Sequence, residues 1–482
     1  MIAITHTTTD KMNLPADFTS DMTSYLGEET YGLLVQALQA APPVSIRFNP
    51  LKANSGEIAG IIKEHDATRV PWCDLGYYLS QRPQFTFDPL LHAGCYYVQE
   101  ASSMFLWHIL SEHLRQRKDA GLAAPITALD LCAAPGGKST LALSLLPEGS
   151  ILIANEAIRQ RSNILAENII KWGCPNCIVT NNYAEDFSCF THTFDVIICD
   201  APCSGEGMFR KDPKSIDEWS AEGVAACCKT QRDIVSNIWH ALKPGGLLIY
   251  STCTYNAHED EENAEWMARN LGADIISCHP KEEWNLADTN THFFPHIVRG
   301  EGFFVSVLKK HEDEDDITPR GTKRGKKSKD SKQAQKNKMP KELLQWIASN
   351  GDYTINEENG TYRAFPTVHK DLLLLAEKNL RVVHSGIELG KAKGKSVQPS
   401  QSLAMSASLN RGIFPEVELP LQQAIAYLRT EALSLPDSTP IGYVLLTYHG
   451  HPLGFAKNIG NRANNLYPSE WKIRSSYGPK EP

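Results

Sequence analysis

Residues 126–146 read ITALDLCAAPGGKSTLALSLL, an apolar run that breaks into a glycine-rich turn and then resumes with helical character. A strand that enters a Gly-Gly turn and leaves it as a helix is the start of an open α/β sheet. Its bare backbone lets a ligand approach at the carboxyl edge of the strands. The turn is not a phosphate loop, because the GxxxxGK[ST] spacing is missing: five positions before Gly137 stands Cys132. Taken alone, the turn fits a plain βα connection equally well.

Outward from that turn, short apolar runs alternate with helix-length amphipathic stretches between Pro125 and Lys310: SILIAN, CIVT, FDVIICD, GGLLIYSTC and FFVSVL. This rhythm predicts an α/β, Rossmann-like domain over 125–310 with a parallel sheet. Upstream, residues 1–124 predict a helical start, a small α/β unit around VSIRFNPLK and a helix from about Ala101 to Arg117. Residues 311–340 open with the acidic block Glu312–Asp316 and continue with nine Lys/Arg and almost no apolar side chain, which predicts a charged flexible linker. Beyond it, 341–395 reads as a small mixed domain and 410–475 as a strand-rich one, with IGYVLLTYHG and HPLGFAKNIG as its clearest strands.

At 482 residues the chain exceeds what one core serves, and its 42% apolar and 22% charged residues exclude wholesale disorder and fibrous repeats. No stretch reaches the ~18 apolar residues of a membrane span, and residues 1–20 carry no export signal, so the expectation is a monomeric, cytosolic protein. The twelve cysteines are scattered through apolar runs and read as reduced thiols. Cys174-Pro-Asn-Cys177 has no second Cys/His pair, so no metal is expected. The net charge of −8 is divided unevenly: −18 over residues 1–319 and +10 over 320–482. Either the basic third merely aids solubility or it meets a polyanion, and the second reading favours nucleic acid.

The strand SILIAN runs into Glu156, twenty residues after Gly136, where doubly wound folds place an acid that binds ribose hydroxyls. With GxGxxG absent, an adenosine cofactor without a pyrophosphate fits best, and S-adenosylmethionine is the candidate. Two further strands end in thiols: FDVIICD in Asp200-Ala-Pro-Cys203, and GGLLIYST in Cys253. Adjacent strand ends face one crevice, so both sulfurs are expected beside the cofactor, whereas Cys132 and Cys199, inside apolar runs, read as core. Carbon 5 of a pyrimidine accepts a methyl group only after a thiolate adds to C6. Asp200 would then hydrogen-bond the N3/N4 edge of the base, and a second cysteine can serve the elimination.

These motifs resemble the Sun-type family of RNA (cytosine-5) methyltransferases, and most the bacterial branch acting on 16S ribosomal RNA. The matching residues are Arg47-x-Asn49 with Pro50-Leu51-Lys52, VQEASS (98–103), LDLCAAPGGKS (129–139), DAPCSGEG (200–207), YSTCT (250–254) and GEGFF (300–304). The resemblance implies that Cys253 is the nucleophile and that Cys203 assists release. It also implies S-adenosylmethionine contacts from Cys132, Ala133, Ala134, Pro135, Gly136, Gly137, Lys138, Glu156 and Asp200. Where the family carries a further acid, this chain has Asn182. Residues 1–124 would recognise RNA, and 410–475 resemble a PUA-like RNA-binding domain, with Tyr448, His449 and Phe455 as candidates for base contacts. The implied partner is 16S rRNA, free or in the 30S subunit. A tRNA target, DNA methylation and a non-catalytic assembly factor stand as alternatives.

Overall fold

The computed structural model describes residues 12–312, 340–348, 350–394, 396–475 and 477–478. Most of the linker expected at 311–340 therefore lies outside the described residues. The centre of the molecule is a mixed sheet of strands β1 (Thr127–Asp130), β2 (Ile151–Asn155), β3 (Cys177–Thr180), β4 (Phe194–Asp200), β5 (Leu242–Thr252), β6 (Ala273–Ile276), β7 (Phe304–Lys310) and β8 (Val382–Ser385), with Thr291–His292 pairing on β7. Their order across the sheet is β6-β7-β5-β4-β1-β2-β3-β8.

Strands β1 to β5 run parallel to their neighbours, as the alternation of runs predicts. Every position of β2 is buried, since helices cover both faces and leave no solvated side. Successive residues serve opposite layers. Ala128 and Leu152 face Leu141, Leu165 and Ile169, while Leu129 and Ile153 face Val235, Ile238 and Met267. The structure departs from an all-parallel sheet at both ends. Strand β7 is antiparallel to β5 and β6, because it follows β6 through a loop and not through the helical crossover that a parallel neighbour needs.

At the other edge, β8 comes from the segment expected to form a separate small domain. It pairs antiparallel with β3, and Leu373, Ala376 and Leu380 beside it enter the same core as Phe187. The rest of that segment is a four-stranded sheet, Tyr353–Glu358, Thr361–Pro366, Ile387–Lys393 and Ser396–Pro399, so a boundary at 395 cuts through a hairpin.

The N-terminal region has two helices, Ala16–Leu26 and Glu28–Leu38, then a four-stranded sheet centred on Val44–Phe48. The helix expected from Ala101 begins at Phe105. The Glu100 carboxylate accepts the N–H groups of Ser102 and Ser103 at 3.0 and 2.8 Å, turning 102–104 into a 3-10 turn. The C-terminal unit carries strands Glu416–Glu418, Gly442–Tyr448, His451–Asn458 and Ala463–Asn465 with helix Leu421–Leu428. It shares a core with the N-terminal sheet: Ile46, Phe48 and Leu79 pack with Tyr427, Leu446 and Leu453. Phe455, a candidate for base stacking, is instead core, buried with its ring 4.8 Å from that of Phe414. Tyr448 and His449 stack on each other at 4.2 Å, with His449 exposed. Among the described residues no helix is long and apolar enough to cross a membrane.

Candidate active site

Strands β1, β4 and β5 end side by side, and their carboxyl ends open into a cavity of ≈ 580 Å³. The turn after β1 forms one wall through Cys132, Ala133, Ala134, Pro135, Gly137 and Lys138. Its carbonyls are held from outside: Arg161 donates to the Ala134 oxygen at 2.9 Å and Asn168 to that of Pro135 at 2.8 Å. Gly136 sits at φ +115°, and a Cβ there would lie 3.3 Å from Leu165, so only glycine turns the chain here without strain.

Behind the turn stands Arg47, fully buried. It donates to Gln99 Oε1 at 2.9 Å, to Thr140 at 2.7 Å and to the Gly137 carbonyl at 3.2 Å, with its guanidinium 4.6 Å from the Trp172 ring. Burial brings its pKa down to about 10. Arg47 thus ties the N-terminal sheet to the helix that begins at the cofactor turn.

At the floor, Asp130 accepts from Ser139 Oγ at 2.6 Å through Oδ2, while its buried Oδ1 has no hydrogen-bond partner among the described residues. Burial pushes this carboxyl up to about 7 against the Ser139 hydrogen bond. Glu156 ends the next strand. Its Oε1 accepts the Ile158 N–H at 2.9 Å, and its buried Oε2, 3.5 Å from Arg161 Nη1, accepts no hydrogen bond. The orphaned Asp130 oxygen, the glycine cradle and the cavity fit S-adenosylmethionine by offering an acceptor for a hydroxyl or ammonium group, and the Glu156 carboxylate stands next to them, paired with the cavity-lining Arg161.

The reactive wall is built from the other two strand ends. Lys138 Nζ lies 2.9 Å from Asp200 Oδ2, and Ser251 Oγ donates to Asp200 Oδ1 at 2.8 Å. Burial pulls the lysine down, but the Asp200 carboxylate outweighs it and leaves its pKa above the ordinary value, with Cys253 also within electrostatic reach. The Cys203 and Cys253 sulfurs are 3.0 Å apart. Cys253 lines the cavity and Cys203 stands behind it. The hydrogen bond to Cys253, together with burial, holds the Cys203 thiol well above the usual range.

Two buried glutamates fix the loops that carry these sulfurs. Glu259 accepts the Ser204 N–H at 3.0 Å and the side-chain amides of Gln231 and Asn256 at 2.7 and 2.9 Å. Glu206 accepts the N–H groups of Tyr255 and Asn256 at 2.7 and 3.1 Å and the indole of Trp219 at 3.0 Å. Burial still pushes Glu206 up to about 7. Gly207 donates to the Cys253 carbonyl at 2.8 Å, and a Cβ at that position would lie 2.8 Å from the same oxygen.

The structure thus brings Cys132–Pro135, Gly137, Lys138, Asp200 and Cys253 onto one cavity; Gly136 and Cys203 adjoin lining residues, and Glu156 is linked to it through its ion pair with Arg161. Cys132, read as core from its apolar run and as a cofactor contact from the resemblance, lines the cavity and is only half-buried, because it lies in the turn two residues past the end of its strand. Asn182 is engaged elsewhere: its Oδ1 accepts the Arg381 N–H at 2.9 Å and its Nδ2 donates to Asp186 at 3.1 Å. Asp130, Glu100, Arg161, Lys211 and Glu301 line the cavity without having been singled out as site residues. Asp130 was legible as the last residue of its strand. Glu100 and Glu301 lay inside quoted motifs, and Arg161 and Lys211 carried no local signal.

Family comparisons agree with this architecture. A family model for the 16S rRNA methyltransferase RsmB/F matches residues 124–309, one for the N-terminal domain of 16S rRNA methyltransferase RsmF matches 14–101, and one for the methyltransferase RsmF PUA domain matches 414–473. The chain is 31% identical over 488 residues to ribosomal RNA small subunit methyltransferase F of Aliivibrio fischeri, covering 96% of this chain and 98% of the relative. It is also 31% identical over 449 residues to the protein of that name from Serratia proteamaculans, covering 88% and 89%. Among solved structures, NSun6 from Pyrococcus horikoshii with SFG matches at TM-score 0.52 and 20% identity over 62% of this chain and 99% of that one, a likeness of fold. A methyltransferase homologue from the same organism matches at TM-score 0.52 and 24% identity over 62% and 96%. The chain belongs to the RsmB/F (Sun) family and is an RNA methyltransferase that uses S-adenosylmethionine.

Proposed function

We propose that this protein methylates carbon 5 of a cytidine in 16S rRNA, in the cytosol, through a covalent adduct between Cys253 and C6. The observation that carries this reading is the 3.0 Å approach of two thiols at the wall of the cofactor cavity, beside the Lys138–Asp200 pair. Of the two sulfurs, Cys253 is the one that lines the cavity, so the attacking thiolate is assigned to it, with the Lys138 cation within electrostatic reach of its charge. The Cys253 sulfur bonds to C6, the C5=C6 double bond opens, and C5 becomes a nucleophilic enamine carbon. S-adenosylmethionine, when bound, supplies the electrophilic methyl group that C5 takes up.

Asp200, oriented by Lys138 and Ser251, lines the cavity and accepts from the N4 amino group of the base, while the Lys138 cation offsets the negative charge that develops on the ring. Its partners fix its rotamer in advance, so little reorganisation accompanies the reaction. Release requires loss of the C5 proton. The electron pair left behind re-forms C5=C6 and expels the Cys253 thiolate. Cys203, half-buried and in contact with that sulfur, is placed to accept the C5 proton as a thiolate, its own proton having first passed to solvent, and the surroundings that disfavour this thiolate make it a strong base.

The test uses purified protein with methyl-tritiated S-adenosylmethionine and 16S RNA, 30S particles or tRNA in parallel. The expected product is labelled 5-methylcytidine in the small-subunit RNA. Cys203→Ala should accumulate a denaturation-resistant protein–RNA adduct, and Cys253→Ala should form none and lose at least about 10³-fold in rate. The reverse pattern would exchange the roles of the two thiols, and label at N4 or in tRNA alone would overturn the reading.

A further inference from the structure

Beside the catalytic cavity lies a second depression of ≈ 1060 Å³, about twice as large, bounded by the Ala40–Pro43 ridge, the segment from Leu79 to Arg82 and the segment from Pro295 to Gly300. Its wall carries Arg82, Arg210, Lys211 and Arg299, and no Asp or Glu among the described residues. This occurs in the acidic part of the chain, where residues 1–319 sum to −18. An all-cationic groove on that background focuses attraction for a polyanion on one path.

The four cations are not equivalent. Arg210 is consumed by the fold: it donates to Glu301 Oε2 at 2.8 Å and to the carbonyls of Ala37 and Gly300 at 3.1 and 2.5 Å. Arg82 and Arg299 have no carboxylate partner among the described residues. Each guanidinium lies over a ring, Arg82 5.5 Å from Phe85 and Arg299 4.4 Å from Tyr78, which fixes its plane; both residues are exposed, and Arg299 Nη1 also donates to Thr68 Oγ1 at 3.4 Å. Lys211 lines both depressions and so marks where they join. His296 stands in the same wall, stacked on Phe294, with a buried Nδ1 that has no hydrogen-bond partner among the described residues, and burial lowers its pKa, favouring the neutral ring.

We propose that this groove binds the single-stranded RNA flanking the target nucleotide, with Arg82, Lys211 and Arg299 contacting phosphates. The occupant follows from continuity. A nucleotide whose base enters the cavity must carry its own backbone out of it, and the Lys211 boundary opens onto the groove. The apolar Ala-Pro ridge and the exposed Ile297 offer contact surface for unstacked bases. An acidic protein segment would satisfy the charges but has no reason to be continuous with the catalytic cavity. The choice of RNA rests on the methyltransferase reading above.

The experiment uses the full-length protein and a labelled 12-nucleotide, cytidine-containing single-stranded RNA, followed by fluorescence anisotropy between 50 and 200 mM KCl. Arg82→Gln with Arg299→Gln should weaken binding 10- to 100-fold at 50 mM KCl. It should also make the log–log salt slope shallower by about 1.4, since two lost phosphate contacts count about 0.7 each on a single strand. The glutamine stems retain packing over Phe85 and Tyr78, and Arg82→Lys with Arg299→Lys should restore the slope, which separates lost charge from lost folding. S-adenosylmethionine affinity should stay within twofold, and KM for RNA should rise more than kcat falls. Wild-type affinity and slope in the glutamine variant would overturn the proposal, as would loss of binding to polyglutamate with RNA binding intact. Absence of labelled 5-methylcytidine from the wild-type protein would sink the chemistry alone, because the anisotropy result does not depend on turnover.

Discussion

Asp130 occupies the last position of β1, where a buried carboxyl meets one hydroxyl donor and otherwise the cavity. Burial raises its folded-state pKa from 3.8 to about 7, so between those values the folded protein holds a proton that the unfolded chain has released. Stability from this group is complete below about pH 4 and falls as pH rises toward 7, by at most about 1.4 kcal/mol per pH unit. Asp130→Asn keeps an acceptor for Ser139 and removes the titration. Urea midpoints at pH 5, 6 and 7 should therefore fall less steeply in the variant than in the wild type. Glu206, also pushed up to about 7, contributes a slope of the same sign that persists in the variant. Equal slopes in both proteins would show that Asp130 is ionised throughout.

At the scale of elements, the chemistry depends on two loops being held to one another. The loop after β4 carries Cys203 and the loop after β5 carries Cys253, and Glu259 binds both, through Ser204 on one side and Asn256 on the other. Glu259→Ala leaves one backbone N–H and two side-chain amides without this acceptor in a buried setting, at a cost of about 2–4 kcal/mol. Because the Cys253 loop keeps Glu206 as acceptor for the Tyr255 and Asn256 N–H groups while the Ser204 N–H loses its own, elimination should suffer more than attack. The variant should show a lower urea midpoint together with accumulation of the covalent adduct. A stability loss with no adduct would mean that Glu259 supports the fold without positioning the thiol. The helical hairpin at residues 16–38 backs the second loop, with Phe18, Met22 and Leu38 packed in one cluster with Tyr255 and Phe209.

Over the whole molecule, the N-terminal sheet and the C-terminal unit are joined by one apolar core and by the His451–Glu57 contact at 2.5 Å. The two ends of the sequence therefore act as one body. Leu446→Ala, at a fully buried position in that core, should cost about 2–4 kcal/mol. Amide exchange in the strand Val44–Phe48, roughly four hundred residues earlier in the chain, should speed up with it. Exchange confined to residues 414–473 would show that the two units are energetically independent.

The sequence alone determined the parallel strands, the glycine turn and the two strand-end thiols. Each is a local pattern: an apolar run of strand length, a turn that needs glycine, a cysteine placed just past a strand among turn formers. It determined equally the motifs on which the family rests. Only the tertiary structure decided that β7 runs antiparallel, that β8 from residues 382–385 closes the sheet beside β3, that Phe455 is core, and that Asn182 serves Arg381 and Asp186. It also decided that Asp130, Arg161 and Lys211 share a cavity with Cys253. The physical reason is sequence separation. Strand pairing, burial and charge balance at these positions are set by partners tens to hundreds of residues away, and the periodicity of a single segment carries no record of them.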